Sequence, residues 1–293
     1  MKKSPVARQR RHTLYFLNEI KTTSPVFIDT EIDMAAVEQH RTASKELGTH
    51  FSRVAYVVYA ASRAMAAHPE ANVGLRGRMM PRVAKYPMVN VKLTMDKTIG
   101  GHRAVLATVI ENAETAELMT VQDQIDHFRA GDPDTMPEWS TLRLLHKAPW
   151  PLAWLLFSQN TRSLKQRPEL FGTLAITSLG HRPVDGFQSV GGTPVTLGVG
   201  RVMERPVVRD GQIVIGKIMR LSLAFDHRAF DGGEAADLLA DIKTNLETLS
   251  LPLPEAANAL DAVEAADAIE AAGAETENAD TAAALLTPTQ TSA

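Results

Sequence analysis

The chain has 293 residues, with 31 Lys plus Arg, 34 Asp plus Glu and no cysteine. That length suits one large domain or two small ones, and the missing thiols exclude disulfides, thiolate–metal sites, iron–sulfur clusters and a cysteine nucleophile. The net charge of −3 is unevenly spread: residues 254–293 carry eight acids and no Lys or Arg, leaving 31 basic and 26 acidic side chains in residues 1–253.

Residues 1–12 include Lys2, Lys3, Arg8, Arg10 and Arg11 and read as a flexible basic N-terminus. The apolar run that a signal peptide needs next is broken by Asn18, Glu19 and Lys21. The longest apolar stretch, Ala148–Phe157, falls far short of the roughly 18 residues of a spanning helix. A cytoplasmic protein without a membrane span is expected.

Local signals then alternate between helix and strand. Asp33 can cap a helix that ends at Gly48, with Ala36, Val37 and Leu47 on its apolar side. Val54, Val57, Val58, Ala61 and Met65 recur at helical spacing, so residues 52–68 read as a core helix stopped by Pro69. Residues 89–95 and 104–110 read as strands around a Gly100-Gly101 turn, and Val121, Ile125 and Phe128 mark another helix. Residues 172–178, 195–202 and 219–225 are strand-like, and Asp210-Gly211 signals a hairpin. Ala235, Leu238, Leu239, Ile242, Leu246 and Leu249 line one face of a final helix. Mixed through one body, these elements predict an α/β layered fold.

Two segments stand apart. Residues 132–170 hold all three tryptophans and five prolines. They read as an irregular insertion packed on the body, the alternatives being a substrate lid or a membrane-surface patch. Residues 254–293 contain 15 Ala with acids interleaved, which predicts a disordered acidic tail.

The chemistry concentrates in Met219–Glu234. Met219, Leu221, Leu223 and Phe225 alternate with Arg220, Ser222 and Ala224, as on a strand with one buried face. That strand leads into Asp226-His227-Arg228 and Asp231-Gly232. Imidazole takes protons near neutral pH, and a carboxylate four residues on can hold the ring. Spacing alone also fits a structural hydrogen bond.

The full string Asp-His-Arg-x-x-Asp-Gly at residues 226–232 resembles the signature of the acyltransferase component of 2-oxoacid dehydrogenase complexes, and His227 to Gly232 also resembles chloramphenicol acetyltransferase. His181, Asp185 and Gly186 repeat the shorter pattern but carry Pro183 and no preceding strand, so they read as a loop. Residues 171–180 (FGTLAITSLG), 196–202 (TLGVGRV), 68–72 (HPEAN) and the hairpin at 91–112 resemble further family segments, with residues 20–33 as a first strand. The resemblance implies a chloramphenicol-acetyltransferase-like two-layer sandwich of mixed sheet and helices over residues 13–253, forming a homotrimer with the site between subunits.

By the same resemblance, His227 would take the proton from the thiol of an acceptor such as coenzyme A, a substrate here, and Thr177 would donate to the oxyanion. Asp231 would act structurally through an arginine, Arg10 or Arg11, while Asp226 and Arg228 brace the turn. Asp96-Lys97-Thr98 looks superficially like a lipoyl-lysine turn but lies in the hairpin, so a solvated lysine is expected and no covalent lipoyl group. The resemblance starts near residue 10, which implies a stand-alone catalytic domain served in trans by a lipoyl-bearing protein or other complex components. Acylation of a small-molecule amine or alcohol, and a non-catalytic trimeric scaffold, are the alternatives. The scattered positive charge and 5% aromatic content argue against a nucleic-acid partner.

Overall fold

A computed structural model describes residues 6–77 and 80–255; the expected acidic tail, apart from Pro254 and Glu255, lies outside them. Two compact units divide the described chain: residues 6–39 with 51–250, and residues 40–50 with 251–255. In the second, Ser44 Oγ donates to the His40 carbonyl at 2.8 Å and the His40 ring meets the Pro252 carbonyl at 3.2 Å.

The first unit is organised by a six-stranded sheet. Its strands are β1 (Pro25–Asp33), β4 (Val91–Ile99), β5 (His102–Ile110), β6 (Leu174–Ser178), β7 (Val195–Arg209) and β8 (Gln212–Asp226), in the spatial order β1-β8-β7-β6-β4-β5. The β4–β6 and β6–β7 pairs are parallel and the others antiparallel, so the sheet is mixed. A separate hairpin, β2 (Val73–Arg76) with β3 (Arg82–Lys85), has no clear sequence signal.

Both predicted tight turns form where two consecutive residues hold positive φ. Gly100 and Gly101 lie at 54° and 73°, and Asp210 and Gly211 at 51° and 76°. This backbone twist suits a two-residue hairpin loop. The second turn joins strands longer than the sequence suggests: β7 and β8 pair from Val195–Phe225 to Arg209–Gln212, with a register irregularity between Val199 and Val202.

The helices are α1 (Arg11–Glu19), α2 (Ala35–Glu46), α3 (Arg53–Ala67), α4 (Leu118–Ala130), α5 (Ser140–Lys147), α6 (Trp150–Arg162), α7 (Arg167–Phe171) and α8 (Gly232–Glu247). Ser52 caps α3 by accepting from the Ala55 amide, and Asp33 accepts from the Ala35 amide ahead of α2. In α8, Ala235, Leu238, Leu239, Ile242 and Leu246 are all buried. Burying each large member of this row contributes about 1.5–3 kcal/mol. Helix α8 packs on α3 and β1, and α3 also touches β6, so the core lies between sheet and helices.

Strand β8 does not have the single buried face that its alternation predicts. Every residue from Leu221 to Asp226 is buried, including Ser222 and Ala224. On neighbouring β7, a Cβ added to Gly198 would stand 2.2 Å from the Phe187 carbonyl oxygen. Gly198 pairs with Ser222, and directly paired residues share a face. The 180–194 loop therefore packs on this face of the sheet.

The N-terminal segment expected to be flexible is helical where described: a 3-10 turn at Arg8–Arg10 leads into α1. The 132–170 segment is helical as well, which corrects the expectation of an irregular insertion. Its prolines start helices, with Pro137, Pro151 and Pro168 in first-turn positions where a missing amide proton costs nothing. Arg11 donates to the Ala148 carbonyl at 3.0 Å, Tyr15 packs with Leu145 and Ala153, and His12 Nδ1 meets His146 Nε2 at 3.0 Å. Desolvation, with the His12 and Arg11 charges, lowers the His146 pKa to about 4, so this ring is neutral at pH 7. Trp139 is buried, but Trp150 and Trp154 are exposed. No described helix is long and apolar enough to cross a membrane.

Candidate active site

The turn after β8 is built around Asp226, which is 6% exposed. Its Oδ1 accepts from the Ser24 amide (3.2 Å) and the Arg228 amide (3.2 Å), and its two oxygens hold the Arg228 guanidinium at 2.5–3.2 Å. Burial alone raises the carboxyl pKa, but these donors outweigh it and the net shift is downward. The expected bracing role of Asp226 and Arg228 is thus visible in the geometry. The His227 amide donates to the Ser24 carbonyl at 2.9 Å and the Asp226 amide to Pro194 at 2.9 Å, fixing the backbone on both sides.

This bracing has a pH signature. Asp226 binds protons less readily in the folded chain, so its contribution is complete above the unfolded carboxylate pKa of about 3.9 and is lost as pH falls through the lower native value. Asp226→Asn is expected to cost about 1–3 kcal/mol at pH 7. Urea unfolding of both proteins should show the difference shrinking in strong acid; a pH-independent difference would remove the charge from the explanation.

His227 projects from this fixed turn, half exposed, with Nδ1 3.2 Å from Asp231 Oδ1. A carboxylate only accepts, so a neutral ring hydrogen-bonded to Asp231 would carry its proton on Nδ1 and its lone pair on Nε2. The ring also lies 5.6 Å from that of Phe225, which packs on Phe230 at 5.3 Å. Asp231 is the N-cap of α8: it accepts from the Glu234 amide, and its own amide donates to Glu234 Oε2 at 2.9 Å. This reciprocal cap fixes the carboxylate against the ring. Asp231 thus meets His227 within the same chain, while Arg11 donates to the Ala148 carbonyl and lies over the Trp150 ring.

Thr177 sits on β6 beside Thr94 of β4, whose hydroxyl donates to Thr177 Oγ1 at 2.8 Å. With one lone pair so occupied, the Thr177 proton is free to point elsewhere. Thr94 has no signal in the sequence, because 83 residues separate it from Thr177 and only the parallel register brings them together.

The sheet keeps Thr177 and His227 of one chain apart. Thr177 pairs with Gly198 and Gly198 with Ser222, five residues before His227 and two strands away. Strand geometry makes that about 16 Å along the strands and about 10 Å across them.

Two further sequence readings are decided by position. His181, Asp185 and Gly186 lie in the loop after β6, where Asp185 pairs with Arg201 at 2.7 Å, so this copy of the pattern is a loop as expected. Lys97 is on β4 rather than solvated in a turn, and its ammonium donates to the carbonyls of Arg129 (2.5 Å) and Gly131 (2.7 Å).

The sequence model of the family described as 2-oxoacid dehydrogenases acyltransferase (catalytic domain) matches residues 1–131 and 157–253. The chain is 26% identical over 256 residues to a Staphylococcus aureus dihydrolipoyllysine-residue acetyltransferase component of the pyruvate dehydrogenase complex, covering 85% of this chain and 52% of that protein. It is 27% identical over 248 residues to the Bacillus subtilis protein of the same name, covering 82% and 48%. The chain spans about half the length of these curated relatives.

Among solved structures, a probable dihydrolipoamide acetyltransferase from Listeria monocytogenes has a TM-score of 0.63 at 20% identity, covering 88% of this chain and 99% of that one. The cubic core of a pyruvate dehydrogenase multienzyme complex gives 0.62 at 19% identity, covering 84% and 91%. These structures share the fold. Segment 132–156, which carries α5 and the start of α6, is the internal part of the chain that the family model passes over. With the match resuming at 157 and running through the His227 turn to 253, the chain belongs to the family of 2-oxoacid dehydrogenase acyltransferase catalytic domains.

Proposed function

We propose that the protein is a coenzyme A-dependent acyltransferase that moves an acyl group between thioesters. The observation that carries this reading is the 3.2 Å approach of His227 Nδ1 to Asp231 Oδ1, which supports a ring protonated on Nδ1 with Nε2 as the proton acceptor. In the proposed step, Nε2 takes the proton of an incoming thiol, from coenzyme A or dihydrolipoamide. The thiolate adds to the carbonyl carbon of the donor thioester, and the carbonyl oxygen becomes an oxyanion. Thr177 donates its hydroxyl proton to that oxygen in a hydrogen bond, with Thr94 holding Thr177 in place. Collapse expels the second thiolate, which recovers the proton from His227. One thiol and one thioester enter, and one of each leaves.

The separation of Thr177 and His227 along the sheet favours a site completed by two chains, with His227 from one subunit and Thr177 from its neighbour in a homotrimer. The family's curated members named above act on dihydrolipoyllysine residues, which supports a lipoyl group borne by another chain as the acyl carrier. The bonds made by Lys97 fit that division of labour, since its ammonium is already occupied by two backbone carbonyls.

The test is turnover by the purified full-length protein. Acetyl-CoA and longer acyl-CoA esters are offered with dihydrolipoamide, and release of free coenzyme A thiol and formation of acyl-dihydrolipoamide are followed by chromatography. Acceptor-dependent release is the expected result. Absence of release across the series would overturn the reading.

A further inference from the structure

A cavity of about 310 Å³ opens beside the catalytic turn, lined by Glu19, Arg76, Arg167, Thr193, Asp226 and Arg228 among others. His227 lies between two of these residues in sequence. The charges around the cavity do not balance locally. Asp226 is taken up by Arg228, which leaves Glu19 to serve both other guanidiniums. It stands 3.7 Å from Arg76 and 3.8 Å from Arg167, outside hydrogen-bonding distance of either.

Arg167 is 12% exposed, and its one bond shorter than 3 Å runs to the Gly192 carbonyl, at 2.9 Å. Burial pushes its pKa down, with the Arg76 and Arg228 charges adding to that effect against Glu19 and Tyr86. Close behind is Lys92, buried against the Phe16 and Phe171 rings and bonded to the Gly191 carbonyl. Burial and then the Arg167 charge lower the Lys92 pKa to about 7. Cations so arranged repel one another unless an anion joins them, and guanidiniums suit the two-oxygen face of a carboxylate or phosphate.

We propose that this cavity is an oxyanion-binding subsite, in which Arg76 and Arg167 hold a carboxylate or phosphate carried by one of the substrates and Glu19 occupies the place loosely until that group arrives. The identification of the ligand as a substrate rests on the acyl-transfer reading; the binding of an oxyanion does not. A carboxylate would belong to a dicarboxylic acyl group or an acidic acceptor, and a phosphate to the nucleotide part of a coenzyme A ester.

The test is calorimetric titration of the full-length protein with succinate, with adenosine 3′,5′-bisphosphate and with neutral succinamide, at low ionic strength. One of the two anions is expected to bind in the millimolar range or tighter, and which one does so names the source. Succinamide should give no heat of binding. Arg76→Gln, at a partly exposed side chain, should weaken the anion about tenfold, the loss of one charge-assisted pair. Glu19→Gln should strengthen it, because the competing carboxylate is gone; a purely structural role for this cluster predicts no gain. Kinetically, succinyl-CoA should lose its KM advantage over butyryl-CoA in Arg76→Gln if the carboxylate is the ligand.

Failure of both anions to bind the wild-type protein overturns the proposal, and so does equal binding by wild type, Arg76→Gln and Glu19→Gln. Both results leave the acyl-transfer reading intact if turnover is observed. Conversely, anion binding by a protein without turnover supports the subsite and overturns that reading alone.

Discussion

Replacing His227 by alanine is expected to lower the acyl-transfer rate by about 10²–10⁴-fold, the usual contribution of a positioned general base. The loss should appear in kcat, because the ring acts on the proton in flight rather than on ground-state binding. His227 is half exposed, and its backbone is held by the Ser24 contact whatever the side chain. The variant should therefore unfold at the wild-type urea concentration, separating chemistry from stability. Asp231→Asn should have a smaller effect, since an amide oxygen can still accept from Nδ1 and a capping side chain is retained. Retention of full activity in His227→Ala would remove the proposed mechanism.

The second large effect is expected at Thr177. Thr177→Val keeps the strand shape and deletes the hydroxyl, and loss of one oxyanion donor costs about 10²–10³ in kcat. Thr94→Val should cost less, because it removes only the group that orients Thr177. The two large variants together test where the site is completed. If His227 and Thr177 meet across a subunit boundary, co-expressed His227→Ala and Thr177→Val chains form some sites with both residues intact. Random mixing in equal amounts gives intact pairs in about a quarter of the sites of a symmetric ring. Recovery of that order from two nearly inactive chains is the expected result. No recovery in mixed oligomers confirmed by mass spectrometry would place the whole reaction within one chain.

What can be read from the sequence is largely local. The Asp33 cap ahead of α2, the Asp210-Gly211 turn and the apolar row of α8 from Ala235 to Leu246 depend on contacts within a few residues, and all three form as expected. The fold class and the ordered motifs also follow, because strand alternation and the 226–232 string are patterns along the chain. The 132–170 segment departs from expectation because proline breaks a helix only in its interior. At a helix start it is an asset, and α1 supplies the surface on which α5 and α6 pack. Strand β8 departs in the other direction: Ser222 and Ala224 are small and lie on the face that alternation leaves exposed, yet both are buried, with a loop packed over Gly198 on that face.

The candidate site divides in the same way. His227, Asp231, Asp226 and Arg228 are close in sequence, so their association is legible from spacing alone. Their individual partners are not, because a carboxylate four residues away serves equally as a ring holder, a helix cap or an arginine ligand. The turn geometry makes Asp231 the first two of these. Thr94 and the Arg76–Arg167–Glu19 cluster come from strand pairing and packing across 83, 91, 57 and 148 residues of chain. By itself, then, the sequence determined the absence of any thiol on the protein, the α/β pattern and the histidine turn, since each is written in residue types or short spacings. Only the tertiary structure decided which hydroxyl orients Thr177 and which two guanidiniums share one carboxylate. Those depend on distances between segments that no local pattern encodes.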